Sequence, residues 1–231
     1  MTDGPSLRRG LRIGRSGEHW PVVLRGSSPA GDLVTVRPIA KEDERSYRRV
    51  RRDSREWLAP WEATSPVRPG PPTPFGAFVR AQHAEAEEGR SLPFVFTVGR
   101  RGVSAPLAGQ LTVSNIVEGA SWSCAIGYWI GQGYAGRWIT PTAVALVGDH
   151  LFRDRRMHRI EINIRPENAA SLAVVRKLGF REEGPRPAFL HIAGAWRDHL
   201  SFALTTEDLA GGSLMDRLSR AYQVSHPRHT G

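Results

Sequence analysis

The stretch from residue 121 to 180, SWSCAIGYWI GQGYAGRWIT PTAVALVGDH LFRDRRMHRI EINIRPENAA SLAVVRKLGF, decides how this chain reads. Ser121 to Ile130 is rich in β-branched and aromatic residues and nearly continuously apolar from Cys124, the pattern of a central strand buried on both faces. Gly131-Gln-Gly-Tyr-Ala-Gly136 is a turn. Ile139, Ala143, Leu146, Val147, His150 and Leu151 then recur at helical spacing, with Pro141 near the first turn, where a missing N–H costs little. Arg159 to Ile164 alternates strictly: Ile160, Ile162 and Ile164 face one way, Glu161 and Asn163 the other. Asn168 is an N-cap and Gly179 a C-terminal stop for a helix between them. A strand, a glycine-bearing turn and a helix start form an anion site, because the first backbone N–H groups of a helix are unpaired and its dipole is positive there. Gly136 would let backbone approach a phosphate, and Arg137 adds charge. A plain tight turn is the competing reading. The glycine pattern is neither a dinucleotide fingerprint nor a Walker A sequence.

Outward from this stretch, Leu33 to Arg37 alternates as a strand, and 41–52 reads as a solvated helix with Tyr47 and Val50 on one side. Six prolines mark 60–74 as a loop: Pro60, Pro66, Pro69, Pro71, Pro72 and Pro74. A helix is expected over 75–89. Phe94–Val98 and Leu107–Val113 are strands, the last strand falls at about Asp198 to Leu204, and a short helix spans 213–222. Together these predict one α/β domain with a mixed sheet over 31–210. A basic extension with five arginines precedes it at 1–30, and a C-terminal helix and tail follow at 211–231.

Length and composition narrow the classes. The chain has 231 residues, 40% of them hydrophobic, enough for a core without staples. No apolar run approaches the roughly 20 residues that span a bilayer, and the arginine-rich start lacks the apolar core of a secretory signal, so a cytoplasmic protein with no membrane partner is expected. One cysteine, Cys124, excludes a disulfide framework and multi-cysteine metal sites, and no metal is expected. The net charge of +9, with Lys41 and Lys177 the two lysines, favours anionic partners: nucleic acid, the ribosome or a polyphosphate cofactor.

Six pieces in order resemble the GNAT superfamily of acyl-CoA N-acyltransferases, and within it the RimJ-like ribosomal-protein alanine N-acetyltransferases. They are Ile126-Gly-Tyr-Trp-Ile130, Tyr134-Ala-Gly-Arg-Trp138 with Thr140, His158-Arg-Ile-Glu161, Arg165-Pro-Glu-Asn-Ala-Ala-Ser171, Lys177-Leu-Gly-Phe180 and Trp196-Arg-Asp-His199. The resemblance implies a GNAT fold, with a mostly antiparallel sheet that splays between the strand ending at Ile130 and the strand 159–165. It implies acetyl-CoA as acyl donor, with pantetheine near Trp129 and Ile130 and pyrophosphate at Tyr134, Ala135, Gly136, Arg137, Trp138 and Ile139. Asn168 and Ser171 would touch the pantetheine and sulfur, and Arg176 and Lys177 the adenosine phosphates. The acceptor would be a protein N-terminus, with a ribosomal protein or the ribosome as partner, and a homodimer fits the family. A small amine acceptor and a non-catalytic acyl-CoA sensor are the alternatives.

Two departures stand out. Gly133 and Trp138 occupy positions where the family carries Gln/Arg and a small residue, so the indole either crowds the pyrophosphate or packs beneath it. Ala125 stands where the family often places a glutamate base. Glu161, on the polar face of its strand, is the remaining candidate for base or amine ligand, with a structural arginine pair as the other reading. Ser171 would orient and solvate the leaving sulfur or be an ordinary first-turn serine. Tyr128 reads as core, and Trp129 and Trp138 as core or cleft wall. Asp198 and His199 either shape the acceptor site or pair structurally.

Overall fold

A computed structural model of the chain describes residues 20–67, 72–99 and 105–227. Most of the basic extension, and Pro69 and Pro71 of the proline-rich loop, lie outside the described residues. Eight strands form one sheet: β1 Leu24–Ser27, β2 Leu33–Pro38, β3 Leu92–Gly99, β4 Leu107–Val117, β5 Ser123–Ile130, β6 Arg159–Ile164, β7 Arg181–Ile192 and β8 Ala195–Thr205. Their spatial order is β1-β2-β3-β4-β5-β6-β8-β7. Every neighbouring pair is antiparallel except β5 with β6.

That exception opens the molecule. β5 and β6 pair in register only at Ser123–Arg159, Cys124–Ile160 and Ala125–Glu161. Beyond Ala125 the strands diverge, so the edge of β5 from Ile126 to Ile130 faces a wedge rather than a neighbouring strand, and the sheet splays where the resemblance places the splay. The same divergence corrects the expectation that β5 is buried on both faces. Cys124 and Ile126 are buried, but Gly127 is exposed and Tyr128, Trp129 and Ile130 are half-buried, because they wall the opening.

Helices cover both faces: α1 Glu44–Asp53, α2 Arg55–Leu58, α3 Phe75–Glu87, α4 Ile139–Arg153, α5 Ala169–Leu178, α6 Thr206–Leu209 and α7 Leu214–Ser225. The apolar stripe of α4 (Ile139, Ala143, Val147, Leu151) is buried against the sheet with Ile160, Ile162 and Ile164 of β6. Leu214 and Leu218 of α7 join the same core at 0% exposure, so the C-terminal helix is packed into the domain. β1 likewise extends the sheet, pairing Leu24–Ser27 with Leu33–Val36. A smaller cluster of Ile39, Val50, Phe75, Val79, Val95 and Leu107 anchors α1 and α3 on the other face.

β7 has no counterpart in the sequence reading. Gly184, Pro185 and Pro187 break its alternation, and the ladder absorbs them with register shifts between Glu182 and Gly184 and between Arg186 and Leu190. An edge strand tolerates prolines that a central strand does not. Among the described residues no helix is long and apolar enough to cross a membrane.

Candidate active site

The turn after β5 is shaped for an anion. Gln132–Tyr134 forms one tight helical turn, and the chain passes through Gly136 at φ +77° and Trp138 at φ +63° before α4 begins. Positive φ is cheap for glycine and costly for tryptophan. The Trp138 carbonyl accepts from the Thr142 N–H (3.1 Å) and hydroxyl (2.6 Å), which closes the first turn. Among the described residues, the backbone N–H groups of Gly136, Arg137, Trp138, Ile139 and Thr140 donate to no protein acceptor, as a helix start dictates.

The indole of Trp138 packs beneath this turn. It meets the Tyr222 ring edge-on at 5.1 Å, and the Lys177 ammonium stands 4.7 Å from its ring centre. The tryptophan therefore acts as a floor that joins α4 to α7 and holds Lys177 beside the turn. Tyr134, Ala135, Gly136, Trp138, Ile139 and Lys177 all line one cavity of about 180 Å³. Arg137 turns aside to pair with Asp32. Arg176 is exposed on the last turn of α5, outside this cavity.

This cavity continues into the wedge. It shares Trp57, Ile130, Thr140, Ala170 and Val174 with a second of about 270 Å³. The roof is α2 and the segment after it. The Trp57 indole N–H donates to the Ile130 carbonyl at 3.2 Å. The Pro60 carbonyl accepts from Arg165 at 2.7 Å, and Arg165 lies over the Trp61 ring at 5.3 Å. The Thr64 N–H and Ala193 N–H bonds, to His191 and Glu62 carbonyls, tie the segment to the β7–β8 hairpin. The opposite wall is the start of α5, where Asn168 caps the helix by accepting from the Ser171 N–H at 3.0 Å.

At its inner end the wedge divides. One branch, about 150 Å³, is lined by Tyr128, Asn163, Arg165, Asn168, Ser171 and His199 among others. It is polar in an unusual way. The Tyr128 hydroxyl, Asn163 Oδ1 and Arg165 Nε are buried without a hydrogen-bond partner, as is Ser201 Oγ across the ladder from Asn163. Unpaired buried polar atoms are costly, and the three on residues that line this branch, Tyr128, Asn163 and Arg165, mark a place suited to a polar guest. Burial pushes the Tyr128 phenol well above its ordinary pKa, with the Ser171 hydroxyl offsetting part of the rise. The other branch, about 550 Å³, opens on the far face between α1, α3 and the roof. Trp129 lines both this branch and the cavity of about 270 Å³; on this side its N–H donates to Gln110 Oε1 at 3.3 Å, beside the Tyr47 hydroxyl at 2.9 Å, and Arg51 lies 5.2 Å over its ring. Arg51 also pairs with Glu62 at the rim.

Ser171 thus meets Asn168, Ile130 and the turn along one continuous cleft. Glu161 is not brought there. Its Oε1 accepts from Arg159 Nε at 2.9 Å and its Oε2 from Arg186 at 3.0 Å, within a ladder of charges that continues through Glu183 and Arg181 to Asp208. Both oxygens are engaged on the β6–β8–β7 face, and the residue lines none of these cavities. Tyr128, by contrast, reads from sequence as core and in the structure lines the wedge at its inner end, where the cavities meet. Cys124 is buried, its thiol pushed up to about 12 by desolvation, which removes it as a nucleophile.

Comparison with known proteins agrees with this geometry. The acetyltransferase (GNAT) domain profile matches residues 34–181. The [ribosomal protein uS5]-alanine N-acetyltransferase of Escherichia coli (strain K12) is 29% identical over 182 residues, 78% of this chain and 92% of that protein. Among solved structures, Mycobacterium smegmatis RimJ in complex with CoA-disulfide superposes with a TM-score of 0.78 at 36% identity, covering 88% of this chain and 96% of that one. A ribosomal-protein-S5-alanine acetyltransferase from Vibrio fischeri superposes with a TM-score of 0.68 at 24% identity over 81% of this chain and 98% of that one, a likeness of fold.

Proposed function

The chain belongs to the GNAT acetyltransferase family, and from that premise we propose that it transfers acetyl from acetyl-CoA to the N-terminal α-amine of a protein, of the ribosomal-protein type its relatives are named for. The observation that carries this reading is the single cleft that runs from the unpaired N–H groups at Gly136–Thr140, under the roof at Trp57, to Ser171 and Tyr128, and then opens on the face of Trp129 and Gln110. A long, bent donor with phosphates at one end and a thioester at the other fits the first part. A peptide chain entering from the opposite face fits the second.

The residues present suit the donor. The N–H groups of the turn, with Lys177 beside them, would hold the phosphates. The apolar wall of Ile130, Ala170 and Val174 excludes water along the arm. At the reacting end, Ser171 and the Tyr128 phenol, kept protonated by burial, are hydrogen-bond donors for the sulfur as negative charge grows on it. A serine is a poor acid, so its part is to orient and solvate. The amine attacks directly within a complex of enzyme and both substrates.

An α-amine suits this site better than a polycation. Its pKa of about 7.7–8.0 leaves roughly a tenth or more neutral near pH 7, against far less for a lysine. The two carboxylates that line the cleft, Glu62 and Glu167, are each paired with an arginine (Arg51 and Arg165), so neither stands ready to hold a free ammonium group.

The test is thiol release from acetyl-CoA over a panel of peptides with different first residues, their Nα-blocked counterparts, and small amines. Turnover with free N-termini that vanishes on blocking supports the reading. Turnover confined to small amines refutes the choice of acceptor, and acetyl-CoA binding without turnover on any amine refutes the enzyme.

A further inference from the structure

Resting on that reading, a proton acceptor is still missing. Ala125 occupies the position of the family's strand carboxylate, and Glu161 is engaged elsewhere. We infer that His199 takes the proton from the attacking amine.

His199 is on β8, 3% exposed, and lines the polar branch of the wedge together with Ser171, Tyr128 and Asn163. Its Nδ1 lies 3.0 Å from the Arg197 carbonyl. A carbonyl oxygen can only accept, so Nδ1 carries the hydrogen and, in the neutral ring, Nε2 carries the lone pair. Nε2 hydrogen-bonds to no described residue, and the Phe189 ring packs edge-on at 5.8 Å. The imidazole is thereby fixed in one tautomer, with its basic nitrogen the one left to the cavity.

The surroundings keep that nitrogen unprotonated. Burial moves the ring below its ordinary pKa of 6.5; the bond it donates to the Arg197 carbonyl works against this, Arg165 lowers it further, and Glu167 and Asp198 raise it. The neighbouring Arg186 is spent on Glu161, and Arg165 on the Pro60 carbonyl and Glu167. A base that is neutral at pH 7 faces an amine that must lose a proton to react. The amine nitrogen bonds to the acetyl carbonyl carbon, and the C–S bond breaks with its electron pair leaving on sulfur. The proton shed by nitrogen passes to His199 Nε2, and from there to solvent.

The experiment compares His199→Asn and His199→Ala with wild type. Asparagine places an N–H near Nδ1 and keeps the bond to Arg197 while deleting Nε2. Measured are kcat/KM for a reactive N-terminal peptide from pH 6 to 9, acetyl-CoA Kd by calorimetry, and the response of His199→Ala to added imidazole. Expected for His199→Asn is a fall in kcat/KM of roughly 10²–10⁴ at pH 7, shrinking toward pH 9 as the amine becomes neutral unaided, with Kd unchanged within about twofold. Imidazole should restore part of the activity of His199→Ala and none to wild type. Wild-type activity in His199→Asn, or a loss flat across pH with no rescue, overturns the inference while wild-type turnover leaves the acetyltransferase reading standing. If wild type acts on small amines instead, the same comparison on that acceptor decides, since any amine must lose the proton. Wild-type inactivity on every amine refutes both readings.

Discussion

Gly136→Ala isolates what the turn after β5 does. Gly136 sits at φ +77°, and a Cβ built on it meets no atom within 4 Å. The substitution therefore introduces no clash; its cost is the left-handed backbone, about 1–2 kcal/mol for a residue with a side chain. In a protein of this size that lowers Tm by about 2–8 °C. The open space is also the mouth of the cavity where phosphate oxygens would approach the N–H groups of Gly136 to Thr140. A methyl there should weaken acetyl-CoA by about tenfold, equivalent to about 1.4 kcal/mol, beyond the stability loss. Gly133, three residues earlier, is the control. It also has open space at its Cβ, but it is absent from the positive-φ glycines, so Gly133→Ala should leave Kd unchanged and Tm equal or slightly higher. Calorimetry and thermal unfolding on both variants give the two readouts. If Gly136→Ala lowers Tm but binds acetyl-CoA as tightly as Gly133→Ala, the turn is structural and the pyrophosphate lies elsewhere.

Ser171→Ala should lower kcat by more than it raises acetyl-CoA Kd, because the hydroxyl matters most as charge builds on sulfur; an unchanged kcat would reduce Ser171 to a first-turn residue capped by Asn168. Glu161→Gln should keep wild-type kcat across pH 6–9 and lose thermal stability, since it removes the charge shared by Arg159 and Arg186, and a selective fall in kcat at low pH would reinstate the carboxylate as base. Glu183 supplies a pH signature: hydrogen bonds from Arg159 and Arg181 hold its carboxyl down at about 2 against an ordinary 4.5. Its contribution is therefore complete above about pH 4.5 and is lost as pH falls toward 2. The stability gap between wild type and Glu183→Gln, measured by denaturant unfolding at a series of pH values, should be full near neutrality and close over that window; a gap that does not change with pH would show that the charge of Glu183 is not its source.

Much of the fold was legible because its elements carry complete local signals. β6 alternates without exception, and the α5 helix is bracketed by an N-cap and a glycine stop. β7 was not legible, because its prolines are tolerated only at a sheet edge, and edge position is a property of the assembled sheet. The site divided in the same way. The helix start at Gly136–Ile139 and the cap at Asn168–Ser171 are local features, and the structure sets them along one cleft. Glu161 and Asn163 share a face, as the alternation requires, yet only Asn163 meets the cavity. What separates them is Arg186, which comes from a strand that no local pattern reveals. Trp138 shows how a family position can change occupant: the indole finds Tyr222 on the C-terminal helix, 84 residues away in sequence (222 − 138), and nothing in the neighbouring residues announces that partner.

The three-residue pairing of β5 with β6 bears on how the molecule holds together. Across that seam the first five strands and the last three are joined by a short rung of ladder, with helices laid over both sides. Main-chain groups of β5 beyond Ala125 point at a gap that an extended, amide-bearing arm can fill in the manner of a ninth strand. A substrate lying there is then also a structural member, stitching together two parts of the sheet that the chain itself leaves apart. Departure of the spent donor would loosen the same seam that its arrival tightened, so that the reaction cycle and the stiffness of the sheet rise and fall together.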